Sequence, residues 1–224
     1  MMTKKYDQPD AMIFDMDGTL FRTETILIDA YYRMFDSLRD EKLYEGETPP
    51  VENILNSLGM LLAAIWKRVM PDASEETHRR ADDLLLEYEI DELKNGKPEL
   101  YEGVEETLRI LKERGIRLFV ASNGLEPYVK DVAYYTGIKP LFEDLYSAGE
   151  YKTASKVELV RLLLEKHQIR SAWMVGDRSS DMEAALGNNL IAVGCDYAKF
   201  RSSGELKDAD LRITSFSDIL NHLV

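Results

Sequence analysis

Residues 13–20 read Ile-Phe-Asp-Met-Asp-Gly-Thr-Leu, an apolar run that ends in two aspartates two positions apart and then a glycine. In a strand, residues i and i+2 face the same side. Asp15 and Asp17 therefore present two carboxylates to one spot where a buried strand meets its loop. Neighbouring like charges push one of the two pKa values up. Such a pair can hold a hard cation through oxygen, or divide into a nucleophile and a proton donor. Gly18 lets the backbone turn sharply beside a ligand. The plain alternative is a strand that ends in an Asx-rich turn.

Two later stretches have the same layout. Ser122-Asn123-Gly124 follows an apolar run, with Pro127 near the first turn of the next helix. A hydroxyl and free N–H groups at a helix N-terminus make an anion site. Gly176-Asp177-Arg178-Ser179-Ser180-Asp181 adds two more acids. There Ser180 with Glu183 reads as a capping box that puts Asp181 in a helix's first turn, where an acid also favours the helix dipole without any catalytic role. So many carboxylates repel a phosphate unless cations balance them. Mg2+ supplies one such charge. Lys156 is favoured for the second, because a Ser155/Glu158 capping box starts a helix at that lysine; Lys152, four residues earlier, is its rival.

The elements that must position these groups fall into three stretches. A strand covers about 11–16. Residues 22–98 are helical in pattern: Leu27, Tyr31, Met34, Phe35 and Leu38 form one apolar stripe, and Ala81, Leu84, Leu85 and Tyr88 another. A break at Asn56–Met60 divides a further apolar helix that ends at Pro71, and Lys94-Asn95-Gly96-Lys97-Pro98 closes the stretch as a linker. After residue 98, helices at about 103–114, 126–135, 155–167 and 180–187 alternate with strands at 116–121, 142–146, 172–176, 190–193 and 210–213, before a C-terminal helix. That alternation predicts an α/β fold, a Rossmann-like doubly wound parallel sheet covered on both faces. Residues 1–21 and 99–224 form its core, and residues 22–98 form an inserted helical cap domain. Ligands of such sheets sit at the carboxyl ends of the strands, where the acids, Ser122 and the glycines lie.

With 224 residues, 45% of them apolar, the chain can bury one good core and a small second unit. Its 28 basic and 41 acidic side chains leave a net charge of −13, which argues against nucleic acid and an anionic membrane surface as partners. A single cysteine, Cys195, fits a reducing compartment and a core position. No stretch approaches a membrane span, and residues 1–10 lack the apolar segment of a signal peptide. The expected location is the cytoplasm.

Asp15-Met-Asp17-Gly18-Thr19, Ser122-Asn123-Gly124, Lys156, and Gly176-Asp177 with Asp181 together resemble the four motifs of the haloacid dehalogenase superfamily. The helical insertion looks like the C1-type cap of its phosphoglycolate phosphatase-like branch. The resemblance implies a Mg2+-dependent phosphatase acting on a small phosphorylated metabolite. Asp15 would be the nucleophile that forms an aspartyl-phosphate, and Asp17 the acid and then the base. Ser122 and Lys156 would hold the phosphoryl oxygens, helped by backbone N–H groups around Gly18, Thr19 and Asn123. The Asp15 carboxylate, the Asp17 carbonyl and the Asp177 carboxylate would bind Mg2+, supported by Asp181. Phosphate-ester hydrolysis is among the slowest uncatalysed reactions, and it needs an in-line nucleophile with cations on the equatorial oxygens.

Asp17 also separates reaction types, since in the family an acid there marks enzymes with an alcohol leaving group. A sugar-phosphate mutase resembling β-phosphoglucomutase is the alternative, and a non-catalytic phosphate-binding module a further one. Two features depart from the family pattern: Arg22 follows the first motif, and no proline follows Lys156. The Asn56–Met60 loop and Arg22 are the candidates for contact with the leaving group, with Met60 and Leu61 equally readable as core. Trp66 and Trp173 read as core. His78, His167 and His222 fall outside every motif, which disfavours a histidine-based hydrolase. Oligomeric state is left open.

Overall fold

The computed structural model describes residues 4–96, 98–200 and 203–224. Its centre is one sheet of six strands: β1 (Ala11–Phe14), β2 (Arg117–Ser122), β3 (Asp144–Ser147), β4 (Ala172–Gly176), β5 (Ile191–Cys195) and β6 (Leu211–Ile213). The order across the sheet is β3-β2-β1-β4-β5-β6, and every neighbouring pair is parallel. Between β1 and β2 the chain forms α1 (Glu24–Asp40), α2 (Glu52–Leu55), α3 (Leu62–Val69), α4 (Glu75–Asn95) and α5 (Val104–Glu113). The remaining strands are linked by α6 (Glu126–Tyr135), α7 (Ala148–Tyr151), α8 (Lys156–His167) and α9 (Ser179–Gly187). This is the doubly wound, Rossmann-like α/β sheet that the alternating pattern predicts.

Strands β1 and β4 are buried along their whole length, which is why their sequences are continuous apolar runs. Alternate residues feed two apolar layers. Met12, Phe14, Val120 and Val175 pack on one face, and Ala11, Ile13, Phe119 and Met174 on the other. A third cluster lies between the inserted helices: Tyr31, Met34 and Phe35 of α1 meet Trp66 of α3 and Leu84 and Leu85 of α4. Ser74 caps α4 and Ser155 caps α8, their hydroxyls accepting the N–H of Thr77 (3.1 Å) and Glu158 (3.3 Å). The segments entering and leaving the inserted helices pair with one another, Tyr101 N–H donating to Leu20 O (3.0 Å) and Arg22 N–H to Glu99 O (2.9 Å). Cys195 is buried. Among the described residues no helix is long and apolar enough to cross a membrane.

Three local expectations are corrected. The first strand stops at Phe14 rather than 16: Asp15 N–H still bonds Val175 O (2.9 Å), but Met16 O already accepts Leu20 and Phe21 N–H (both 3.0 Å) in the following loop. The C-terminal helix is a 3-10 helix, Phe216–His222, whose buried Phe216 and Ile219 stand three apart, the period of that helix. The four-residue helix α7 was not expected, although Ser147 and Glu150 stand at capping-box spacing and the Ser147 hydroxyl accepts the Glu150 N–H (3.1 Å). In the predicted linker, Lys97 lies outside the described residues.

Phe119 has no exposed surface, and its ring lies 4.7 Å from that of His167. Phe119→Ala is expected to lower unfolding free energy by about 3–5 kcal/mol, read from the urea midpoint; a loss under about 1 kcal/mol would place it outside the core.

Candidate active site

Because β1 lies between β2 and β4, with Phe14 level with Val120 and Val175, the ends of all three strands open onto one spot. Asp15 is 1% exposed there, as are Ser122 and Asp177, and Asp181 and Lys156 are buried beside them. The Asp15 Oδ1 atom lies 2.9 Å from Lys156 Nζ and accepts the Met16 N–H at 2.8 Å. Its Oδ2 atom is buried without a hydrogen-bond partner. Lys156 Nζ also donates to Asp181 Oδ1 at 2.6 Å. Lys152, in a left-handed conformation with φ of 53°, is exposed outside the site.

One carboxylate oxygen from each of Asp15, Asp177 and Asp181 falls within 4.8 Å of the others. Burial first, then the Asp15 and Asp181 charges, raise Asp177 well above the usual carboxylate range. Burial likewise pushes Asp181 up to about 6 against the pull of Lys156. For Lys156, burial works toward a lower pKa, but the Asp15 and Asp181 carboxylates outweigh it and raise the ammonium. The site therefore concentrates negative charge beyond what one lysine offsets. The three buried carboxylates form an all-oxygen donor set, which suits a hard cation such as Mg2+. Gly18 and Gly176 are needed for the approach: a Cβ on Gly18 would lie 2.6 Å from Asp177 Oδ2, and one on Gly176 2.1 Å from Asp181 Oδ2.

Asp17 points elsewhere. Its Oδ1 accepts the Tyr128 hydroxyl at 2.5 Å and the Thr23 hydroxyl at 2.7 Å. Burial is the main cause that pushes it up to about 6, countered by those hydrogen bonds and aided by Asp15. A carboxyl so tuned can pass a proton near neutral pH. Asp17, Asp15, Ser122 and Asn123 face a cavity of about 70 Å³ that also touches α1, α2, α3 and α4. Asn123 Nδ2 donates to Gly59 O at 2.7 Å and ties the loop after β2 to the break between α2 and α3.

Several expected groups take other partners. The Thr19 hydroxyl donates to Asp177 Oδ1 (3.3 Å), and the N–H groups of Gly18 and Thr19 turn inward to Phe21 O (3.0 Å) and Met16 O (3.4 Å). The backbone N–H groups of Asp17 and Asn123 have no acceptor among the described residues, and these two are free for an anion. Ser122 Oγ accepts the Gly124 N–H at 3.1 Å. The Ser180/Glu183 capping box does not form, because Asp181 Oδ2 takes the Arg178 N–H (2.9 Å) and the helix starts at Ser179. In the Ser155/Glu158 box, Glu158 Oε2 accepts from Ala154 N–H (3.1 Å). Arg22 pairs with Glu24 and Glu99 and does not line the cavity. Met60 does line it, while remaining 38% exposed. Trp66 and Trp173 are buried. No histidine among the described residues reaches the cavity.

Four residues escaped the sequence reading. Thr23 and Tyr128 sat in apparently ordinary helical positions. Arg178, 5% exposed, lies 3.4 Å from Asp177 Oδ2 and donates to Leu55 O (3.3 Å) in α2. Glu89 is buried four positions after Leu85, so it had a signal: a carboxylate on an apolar stripe.

A parallel sheet gathers three acids and a lysine at the end of its central strand. The chain belongs to the haloacid dehalogenase-like hydrolase family, whose model matches residues 9–188. Among its relatives, the pyrophosphatase PpaX of Listeria welshimeri is 24% identical over 199 residues, covering 84% of this chain and 83% of that protein. A predicted phosphoglycolate phosphatase from Haemophilus somnus 129PT superposes with a TM-score of 0.80 at 23% identity, over 96% of this chain and 97% of that one. CbbY from Rhodobacter sphaeroides, in complex with phosphate, gives 0.79 at 22% identity, over 94% and 96%.

Lys156→Met leaves Asp15 and Asp181 without their shared cation. A destabilisation of about 3–5 kcal/mol is expected in metal-free buffer; an unchanged urea midpoint would show that the lysine does not hold the cluster together.

Proposed function

We propose that this chain is a cytoplasmic Mg2+-dependent phosphatase that hydrolyses a small-molecule phosphate monoester through an aspartyl-phosphate. The observation that carries the reading is the asymmetry of Asp15. One oxygen is held by Lys156 and the Met16 N–H, and the other is buried and bare. Asp15 Oδ2 attacks phosphorus, and the bond from phosphorus to the ester oxygen breaks. Asp17 gives its proton to the departing alkoxide. Asp17 then takes a proton from water, whose oxygen attacks phosphorus and frees Asp15 and inorganic phosphate.

Lys156, the Ser122 hydroxyl and the free N–H groups of Asp17 and Asn123 stabilise the charge on the phosphoryl oxygens. Asp15 and Asp177, with the Asp17 carbonyl and the support of Asp181, would hold Mg2+. When bound, the ion supplies charge neutralisation on the phosphoryl group. Arg178 and the Thr19 hydroxyl orient Asp177 for that role. The Tyr128 and Thr23 hydroxyls orient Asp17.

The division into a core of residues 1–21 and 99–224 and a cap of residues 22–98 belongs to the same proposal. The cap closes the cavity over Asp17, and it keeps water out until the alcohol leaves. Hydrogen bonds from Asn123 to Gly59 and from Arg178 to Leu55 favour the closed arrangement.

Phosphate release from an aryl phosphate and a metabolite panel is expected with Mg2+ and not with EDTA, and adding the ion back restores it. Asp15→Asn is expected to lower kcat by at least about 10³-fold. Turnover that survives in that variant would remove Asp15 as the nucleophile, and turnover in EDTA would remove the metal.

A further inference from the structure

The chamber beside Asp17 has a composition that phosphoryl transfer alone does not require. Its walls are apolar: Leu27, Ile54, Leu58, Leu62, Leu85 and Leu86. Among the described residues no lysine, arginine or histidine lines it. Its charged groups are all acids, with Asp15 and Asp17 on the sheet side and Asp82 and Glu89 from α4. Asp82 already accepts the indole N–H of Trp66. Glu89 is 8% exposed, faces the cavity, and makes no hydrogen bond or ion pair with any described residue.

We propose that Glu89 selects the leaving group. The ester cleaved here is that of a small alcohol with an apolar body and one hydrogen-bond donor, a hydroxyl or an ammonium, and with no second anionic group. This inference rests on the phosphatase reading and names the substrate class of the same site.

A carboxyl kept only for structure is hydrogen-bonded when buried. Leaving one unpaired in an apolar wall is costly, and a ligand that supplies the missing partner recovers the interaction. Burial first, then the Asp17 charge, push Glu89 well above the ordinary carboxylate range. Its oxygens face the chamber, where they can hydrogen-bond a hydroxyl or pair with an ammonium. A second phosphate or a carboxylate would enter low-dielectric surroundings with Asp17, Asp82 and Glu89 facing it and no cation to meet it. Pyrophosphate and phosphoglycolate both carry such a group.

The test uses the full chain with Mg2+ and a matched series of phosphate monoesters of three-carbon alcohols ending in methyl, hydroxyl, ammonium or carboxylate. The hydroxyl or ammonium ester is expected to exceed the methyl ester in kcat/KM by about 10-fold or more, with the carboxylate ester and pyrophosphate lowest. Whichever of the two wins identifies the donor. Glu89→Gln is expected to lower the ammonium-to-methyl ratio about 10-fold and to keep the hydroxyl preference, and Glu89→Leu to lower both ratios. Ratios within one variant are insensitive to a general loss of folded protein. Equal or better turnover of the carboxylate ester by the unaltered chain, or ratios unmoved in Glu89→Leu, would overturn the inference while leaving the phosphatase reading intact. Absence of phosphate release from every ester, the aryl phosphate included, would overturn both.

Discussion

Repulsion among buried carboxylates is the constraint on which the rest of the structure depends. Asp15, Asp177 and Asp181 come within 4.8 Å at the end of the sheet, nearly without exposure to water. In a low-dielectric interior such an arrangement is strongly unfavourable unless cations share it. Lys156 is buried for that reason, its ammonium against Asp15 and Asp181. Arg178 stands beside Asp177 for the same reason. The balance is still negative, a charge that a small hard cation would offset.

The fold holds this repulsion in place. Strand β1 is flanked on both sides, so Asp15 cannot move away from the ends of β2 and β4 without breaking two ladders. Gly18 and Gly176 let Asp177 and Asp181 approach to distances that any Cβ would forbid. The capping of α9 by Asp181, whose Oδ2 takes the Arg178 N–H, makes one acid serve the helix and the site together. The helix-cap position that the sequence offered for Asp181 and its place in the acidic cluster therefore do not exclude one another.

The fold was legible because parallel strands buried on both faces leave continuous apolar runs, and the range expected for α6, with Pro127 in its first turn, matches the helix to the residue. The acids were legible because they follow those runs directly. What the sequence hid follows from distance along the chain. Tyr128 reaches Asp17 across 111 residues, and Arg178 reaches Leu55 across 123, by folding alone. Thr19 lay in a readable motif, but the inward turn of its N–H is a loop geometry with no composition signal. The 3-10 helix at the C-terminus shows the same limit: a seven-residue apolar stripe does not separate a period of 3.0 from 3.6. Glu89 is the opposite case, a residue whose oddity was visible on its stripe and whose meaning needed the cavity.

Asp15 Oδ2 is the atom proposed to take the phosphoryl group. The most direct measurement is borohydride trapping of the enzyme during turnover, followed by mass spectrometry of the peptide that carries Asp15. The expected result is reduction of an acyl phosphate to homoserine at position 15, dependent on both substrate and Mg2+. Steady turnover with an unmodified Asp15, or with the trapped phosphoryl group on Ser122 or any other side chain, would contradict it.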